Sequence, residues 1–199
     1  MTTQFHMARR LAPLLAAFLI AGCGLFSTRD PEPPKASSST FVPPTAPDIV
    51  LANLQHAVSE RDGVNYLRCL PDSLNSGRSF TFVPSAAAGA RYVTTFLSWS
   101  LQSEKSYFTS LIAVTPPTAS SVLVLTGGFS LIASDSAIYN GDYQLTFQHG
   151  ISGVPETVRG NLLLVLAADR TSFWSIVHWS DNPIGADPSW SDLKGRFAN

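Results

Sequence analysis

Few side chains in this sequence are of the kind that do chemistry, and their spacing excludes several kinds of it. There are two cysteines, Cys23 and Cys69, far apart in the chain, and four histidines, none paired at zinc-ligand spacing. No Gly-x-Ser-x-Gly elbow and no phosphate loop occur; "TGGF" at 126–129 reads as a bend in a strand. No metal and no cofactor are therefore expected. The formal net charge is −1, with no basic stripe, so there is no electrostatic case for a nucleic-acid partner. What remains is the thiol of Cys23, a second thiol at Cys69, and scattered groups able to exchange protons: His178, His149, His56, Asp62 and Tyr66. Acid–base work needs a pKa drawn towards neutrality by burial. The elements that position these groups decide whether any of them has that environment.

Cys23 is the most informative of them. Arg9 and Arg10 precede an apolar run from Leu11 to Ile20, which ends in Ile20-Ala21-Gly22-Cys23. A membrane-spanning helix needs about 20 apolar residues. This run is too short for that and matches the core of an export signal. Small residues before a cut admit the backbone to a peptidase cleft, and a thiol can be alkylated to a stable thioether. The stretch "LIAGC" resembles the lipobox of bacterial lipoproteins. The resemblance implies a diacylglyceryl group on Cys23, cleavage before it, and acylation (palmitate or a similar chain) of the new amine. It implies a lipid-anchored envelope protein. Gly24, rather than Asp, implies outer-membrane sorting with the domain facing the periplasm.

The segment "STRDPEPPKASSSTFVPPTAP", 27–47, is rich in Pro and Ser. Proline removes the backbone donor and fixes φ, so this reads as an extended spacer. Phe41 and Val42 at its end are candidates to pack back onto a core. The organisation expected is a signal peptide over 1–22, a lipidated Cys and tether over 23–46, and a domain over 47–199. Low charge (14 %) and 11 % aromatics give that domain ample core.

Within the domain, Pro47 and Asp48 open a helix, with Thr45 as a cap candidate; Ile49, Leu51, Leu54 and Val58 follow near helical period. A second short helix runs from Asp62-Gly63 to Leu70. "SFTFVP" is a short strand. Residues 85–112 read as helix in two pieces, the second capped by Ser103. The pattern then turns to period 2. "SVLVLTGGFSLIAS", "GDYQLTFQHG", "TVRGNLLLVLAA" and "SFWSIVHWSD" form four strands with hairpin-sized gaps, and Asp169-Arg170 makes a tight turn. Alternation places Trp174, Ile176 and His178 on one face of the last strand and Phe173, Val177 and Trp179 on the other. The tail "PSWSDLKGRF" shows little periodicity. Helices followed by an antiparallel meander define an α+β fold.

This order, with "NLQHAVSERDGVNYLRCL" leading into "FTFVP" and "FWSIVHWSD" closing, resembles the nuclear transport factor 2-like family over most of 47–182. That family has a cone-shaped, cystatin-like architecture of helices on a curved antiparallel sheet; a separate cystatin-like sheet on one helix is the competing fold. The resemblance implies that a catalytic member would carry an Asp or His base and a Tyr or Asp proton donor inside the cone. His178, Asp62 and Tyr66 are then the candidate catalytic residues. Each also has a plain structural explanation: His178 as a packed or rim residue, Asp62 as a helix cap, Tyr66 as core. His149 is expected to face solvent in a hairpin, His56 to face solvent on its helix, and Cys69 to be buried. Trp99, Trp174 and Phe147 are candidate pocket residues. Three readings follow. The leading one is a non-catalytic binding or scaffolding module, with a protein partner or a second copy of the chain. The next is a binder of a small apolar ligand in the cone. The third is an isomerase- or hydrolase-like enzyme. A cone filled with aromatics favours the first, an open apolar pocket the second, and an ionisable pair converging in that pocket the third.

Overall fold

The computed structural model describes residues 40–72 and 76–198. The expected export signal, Cys23 and the expected tether up to residue 39 lie outside the described residues. The first helix, α1 (Pro47–Glu60), has Pro47 at its first turn and Asp48 beside the positive helix end. Its N-cap is Ala46, which offers no side-chain bond, and not Thr45. Val50, Leu54, Ala57 and Val58 give it one fully buried stripe. Arg61, with φ of 55°, turns the chain left-handed. Asp62 then caps α2 (Gly63–Arg68), accepting from the amides of Val64 and Asn65.

Residues 40–46 are part of the folded domain. Asn53 holds Val42 through both its amide atoms, at 2.9 and 2.7 Å. The Pro44 carbonyl accepts from the Trp174 amide at 2.7 Å. Arg68 lies 3.7 Å above the Phe41 ring. The fold thus takes in residues ahead of the expected start at Pro47, because Asn53 supplies the partners that the proline-rich chain cannot find in a ladder.

The strand β1 (Thr81–Val83) follows, then α3 (Ala86–Arg91), α4 (Val93–Phe96) and α5 (Leu101–Val114). The N-cap of α5 is Ser100; Ser103, expected as the cap, is its reciprocal partner three residues on. Four long strands complete the sheet: β2 (Ser121–Ile132), β3 (Ser136–Phe147), β4 (Thr157–Ala168) and β5 (Trp174–Pro183). They form an antiparallel meander, and β1 pairs parallel to β5, giving the order β1-β5-β4-β3-β2. Gly127 stands opposite Gly141, where a Cβ at Gly127 would come 2.3 Å from the Gly141 Cα. That close approach explains the glycine in the bend.

Two expectations are corrected. The tail is not irregular: Trp190–Phe197 forms α6, with a Ser189/Asp192 capping box. The faces of β5 also differ. Val165 pairs with His178 but Leu166 pairs with Ile176, so Val177 is an extra residue in a β-bulge. The bulge reverses the alternation. Trp174, Ile176, Trp179 and Asp181 all face the helices and are buried, while half-buried His178 takes the opposite face.

Candidate functional site

The helical layer and the concave face of the sheet enclose a polar cluster. Glu104 stands on the inner stripe of α5, in step with Tyr107, Phe108 and Leu111. Lys194 stands on the inner stripe of α6, beside Trp190, Leu193 and Phe197. Their side chains are 0 % exposed, with Lys194 Nζ 2.6 Å from Glu104 Oε1. Tyr66 donates its hydroxyl to the same oxygen, and Trp99 Nε1 donates to Oε2 at 2.7 Å. Aromatic faces surround the ammonium, with Phe82 at 3.8 Å and Trp179 at 4.0 Å from their centroids. Burial pulls the Lys194 pKa down while the Glu104 charge holds it up. Burial, and then the Glu104 charge, push the Tyr66 hydroxyl well above its ordinary value.

A second network closes the far side. Asp181 accepts from Tyr143 and from the Ser191 amide, at 2.8 and 2.7 Å. The Tyr143 oxygen accepts from the Trp190 amide, and Trp190 Nε1 donates to Tyr107 at 2.8 Å. The rest of the interior is aromatic and aliphatic: Trp179 and Trp190 meet edge to face at 4.6 Å, and Phe108 meets Phe147 at 6.0 Å. The cone is filled. Its ion pair ties α2, α5, α6 and the sheet together, with both charged side chains wholly buried.

The space that does open lies outside the cone. A groove of about 860 Å³ runs between α2, α5, the 41–44 segment and the β4–β5 turn. Its apolar walls include Phe41, Val64, Leu67, Ile112, Phe173 and Trp174. Val64 is 70 % exposed. Arg61, Arg68 and Lys105 also line it.

The sequence candidates separate accordingly. Tyr66 is in the sealed cluster. Asp62 is spent on capping α2, with a further bond from Asn65 Nδ2 at 2.8 Å. His178 is on the opposite face of the sheet from Tyr66, so the three are not brought together as an acid–base set. Of the pocket candidates, Trp174 lines the groove, Phe147 is buried in the closed core, and half-buried Trp99 sits over Glu104. His149 is 4 % exposed and not solvent-facing: it accepts from the Ile151 amide and lies 5.5 Å from the Phe197 ring. The helix α6, which was missed, brings that ring over it. His56 is exposed. Cys69 is buried; its thiol donates to the Asn65 carbonyl, and burial pushes its pKa up to about 12. Glu104 and Lys194 were not singled out from sequence. Their signal was a charged residue on an otherwise apolar i, i+3, i+4, i+7 stripe.

Helices on a curved, open, five-stranded mixed sheet define the nuclear transport factor 2-like α+β fold. A protein of that family from Streptomyces avermitilis superposes with a TM-score of 0.50 at 12 % identity, covering 70 % of this chain and 94 % of that one. A nuclear transport factor 2-like protein from Cytophaga hutchinsonii gives 0.47 at 12 % identity, covering 69 % and 97 %. A ketosteroid isomerase-like protein from Erwinia carotovora atroseptica gives 0.46 at 10 % identity, covering 69 % and 93 %. These likenesses concern the fold. No protein-family model matches the sequence, and no curated protein matches it. No helix among the described residues is long and apolar enough to cross a membrane.

Proposed function

We propose that this chain is a lipid-anchored protein of the bacterial cell envelope whose α+β domain binds rather than catalyses, with the outer groove as its binding surface. The observation that carries the reading is the filled cone. The fold's natural pocket is occupied by an ion pair, two tryptophans and a set of phenylalanines and tyrosines. A substrate has no route to Glu104 without displacing them. The groove has the character of a binding site: several hundred cubic ångströms, mostly apolar, with a few charged groups at hand.

The binding half is tested with a neutral fluorescent probe, N-phenyl-1-naphthylamine. Wild-type protein is expected to bind it, and Val64→Asp, a change at an exposed position, to abolish binding without lowering the melting temperature. Binding that survives Val64→Asp but is lost in a cone variant such as Tyr66→Phe would overturn the reading. The anchor is tested by metabolic labelling with a clickable fatty acid: Cys23→Ala is expected to lose the label, and a labelled mutant would contradict anchoring at Cys23.

A further inference from the structure

Building on that reading of the groove, we propose that its occupant is a single-chain anionic amphiphile: an unbranched acyl or alkyl chain along Val64, Leu67, Ile112 and Trp174, with its charged head against Lys105. The argument is one of unmatched charge beside apolar walls. Three cations line the groove, and among the described residues none of them forms an ion pair with a carboxylate. Arg61 donates to the Pro116 and Pro117 carbonyls, at 2.5 and 2.6 Å, which fixes its guanidinium but leaves its charge uncompensated. Arg68 donates to the Asn65 side-chain oxygen at 3.1 Å and covers Phe41. Lys105 is exposed on the outer face of α5.

Two carboxylates, Asp169 and Asp72, also line the groove, so one positive charge is left in excess. Asp169 turns into its own loop, accepting from the Thr171 and Phe173 amides at 2.7 and 3.1 Å. Asp72 has a partner of its own. That excess favours an anionic group on the occupant. Its remainder must be apolar, because the walls between the cations are side-chain carbon. A methylene chain needs no hydrogen-bond partner there, whereas a peptide would bring an amide donor and acceptor with every residue. The volume lies within the range of small-molecule sites.

The test uses the full chain carrying Cys23→Ala, which keeps its own lipid out of the measurement. Displacement of N-phenyl-1-naphthylamine is followed with saturated carboxylates of increasing length, with their methyl esters, and with alkyl phosphates of matched length. Affinity for the carboxylates is expected to rise by up to about fourfold per methylene until the groove is full. The esters should bind at least tenfold more weakly. Lys105→Glu should weaken the anions several-fold and leave the neutral probe untouched; Val64→Asp should remove both. A preference for carboxylate points to a free fatty acid as the source and a preference for phosphate to a lysophospholipid head, and either supports the proposal. Esters binding as well as acids, no dependence on chain length, or tighter binding of an acidic leucine-rich peptide would overturn it while leaving the groove reading intact. Failure of the wild type to bind the neutral probe would remove both.

Discussion

The cone interior and the groove share two helices and treat their charges in opposite ways. Consecutive residues of α5 make the point: Glu104 turns inward to full burial and Lys105 outward to solvent. On α2, Tyr66 turns inward to Glu104, while Val64 and Leu67 turn outward to the groove. Inside, the carboxylate is met by a lysine, a tyrosine and a tryptophan, as a charge without water requires. Outside, cations and apolar carbon stand side by side along an open groove. The perturbed ionisable groups lie in the cone, away from the groove proposed as the binding surface. Access, and not the size of a pKa shift, separates the two regions.

That contrast is sharpest under substitution. Removing one member of the buried pair, by Glu104→Ala or Lys194→Ala, leaves the other charge alone in the core and is expected to cost about 3–5 kcal/mol of stability. The paired change Glu104→Leu with Lys194→Met should cost much less than the two single changes summed, as a double-mutant cycle by denaturant unfolding would read. If the single changes cost below about 1 kcal/mol, the interior is wet and open.

Packing at the C-terminal helix comes next. A Cβ at Gly195 would lie 2.3 Å from the Tyr92 ring, so Gly195→Ala is expected to cost about 1–3 kcal/mol by forcing that ring away. An unchanged melting temperature would mean that α6 is not seated as described.

Alkaline pH probes the same interior more gently. The Cys69 thiol, at about 12 against an ordinary 9.0, keeps its proton longer in the folded chain. Its contribution to stability is whole below pH 9 and is lost as pH rises towards 12, by up to about 1.4 kcal/mol per unit. Tyr66, Tyr107 and Tyr143, all raised chiefly by burial, add to the loss above pH 10. Lys194, lowered by burial, acts in the opposite sense and is common to both proteins in the comparison. Between pH 9 and 10 the wild type should therefore lose more stability than Cys69→Ala; equal slopes would contradict burial of the thiol.

The smallest effect belongs to the groove. Val64→Asp should change stability by no more than about 0.5 kcal/mol, since the side chain is 70 % exposed. A large loss would make the groove part of the core.

Much of the fold was legible because period signals its elements. The α1 stripe, the meander and the Asp62 cap are all local patterns. The helix α6 was not recognised, although Ser189-x-x-Asp192 spells its cap, because Lys194 and Gly195 interrupt the apolar spacing. Only tertiary packing reveals that Lys194 has a carboxylate waiting on α5 and that Gly195 has a ring resting on it. The bulge at Val177 was equally hidden: a single extra residue leaves no mark on composition, yet it moves Trp179 into the core and His178 out of it. The groove was not legible, since its walls come from four segments distant in sequence; Trp174 was a candidate only for a pocket inside the cone.

Four tryptophans make the contrast directly observable. Trp174 borders the groove, Trp179 and Trp190 meet inside the cone, and Trp99 closes over Glu104. Each gives its own indole N–H signal in a nitrogen–proton correlation spectrum. Titrating N-phenyl-1-naphthylamine into the protein should shift the Trp174 signal and leave those of Trp179 and Trp190 in place. Shifts at Trp179 and Trp190 with Trp174 unmoved would mean that the cone opens to ligands and that the groove is not the site.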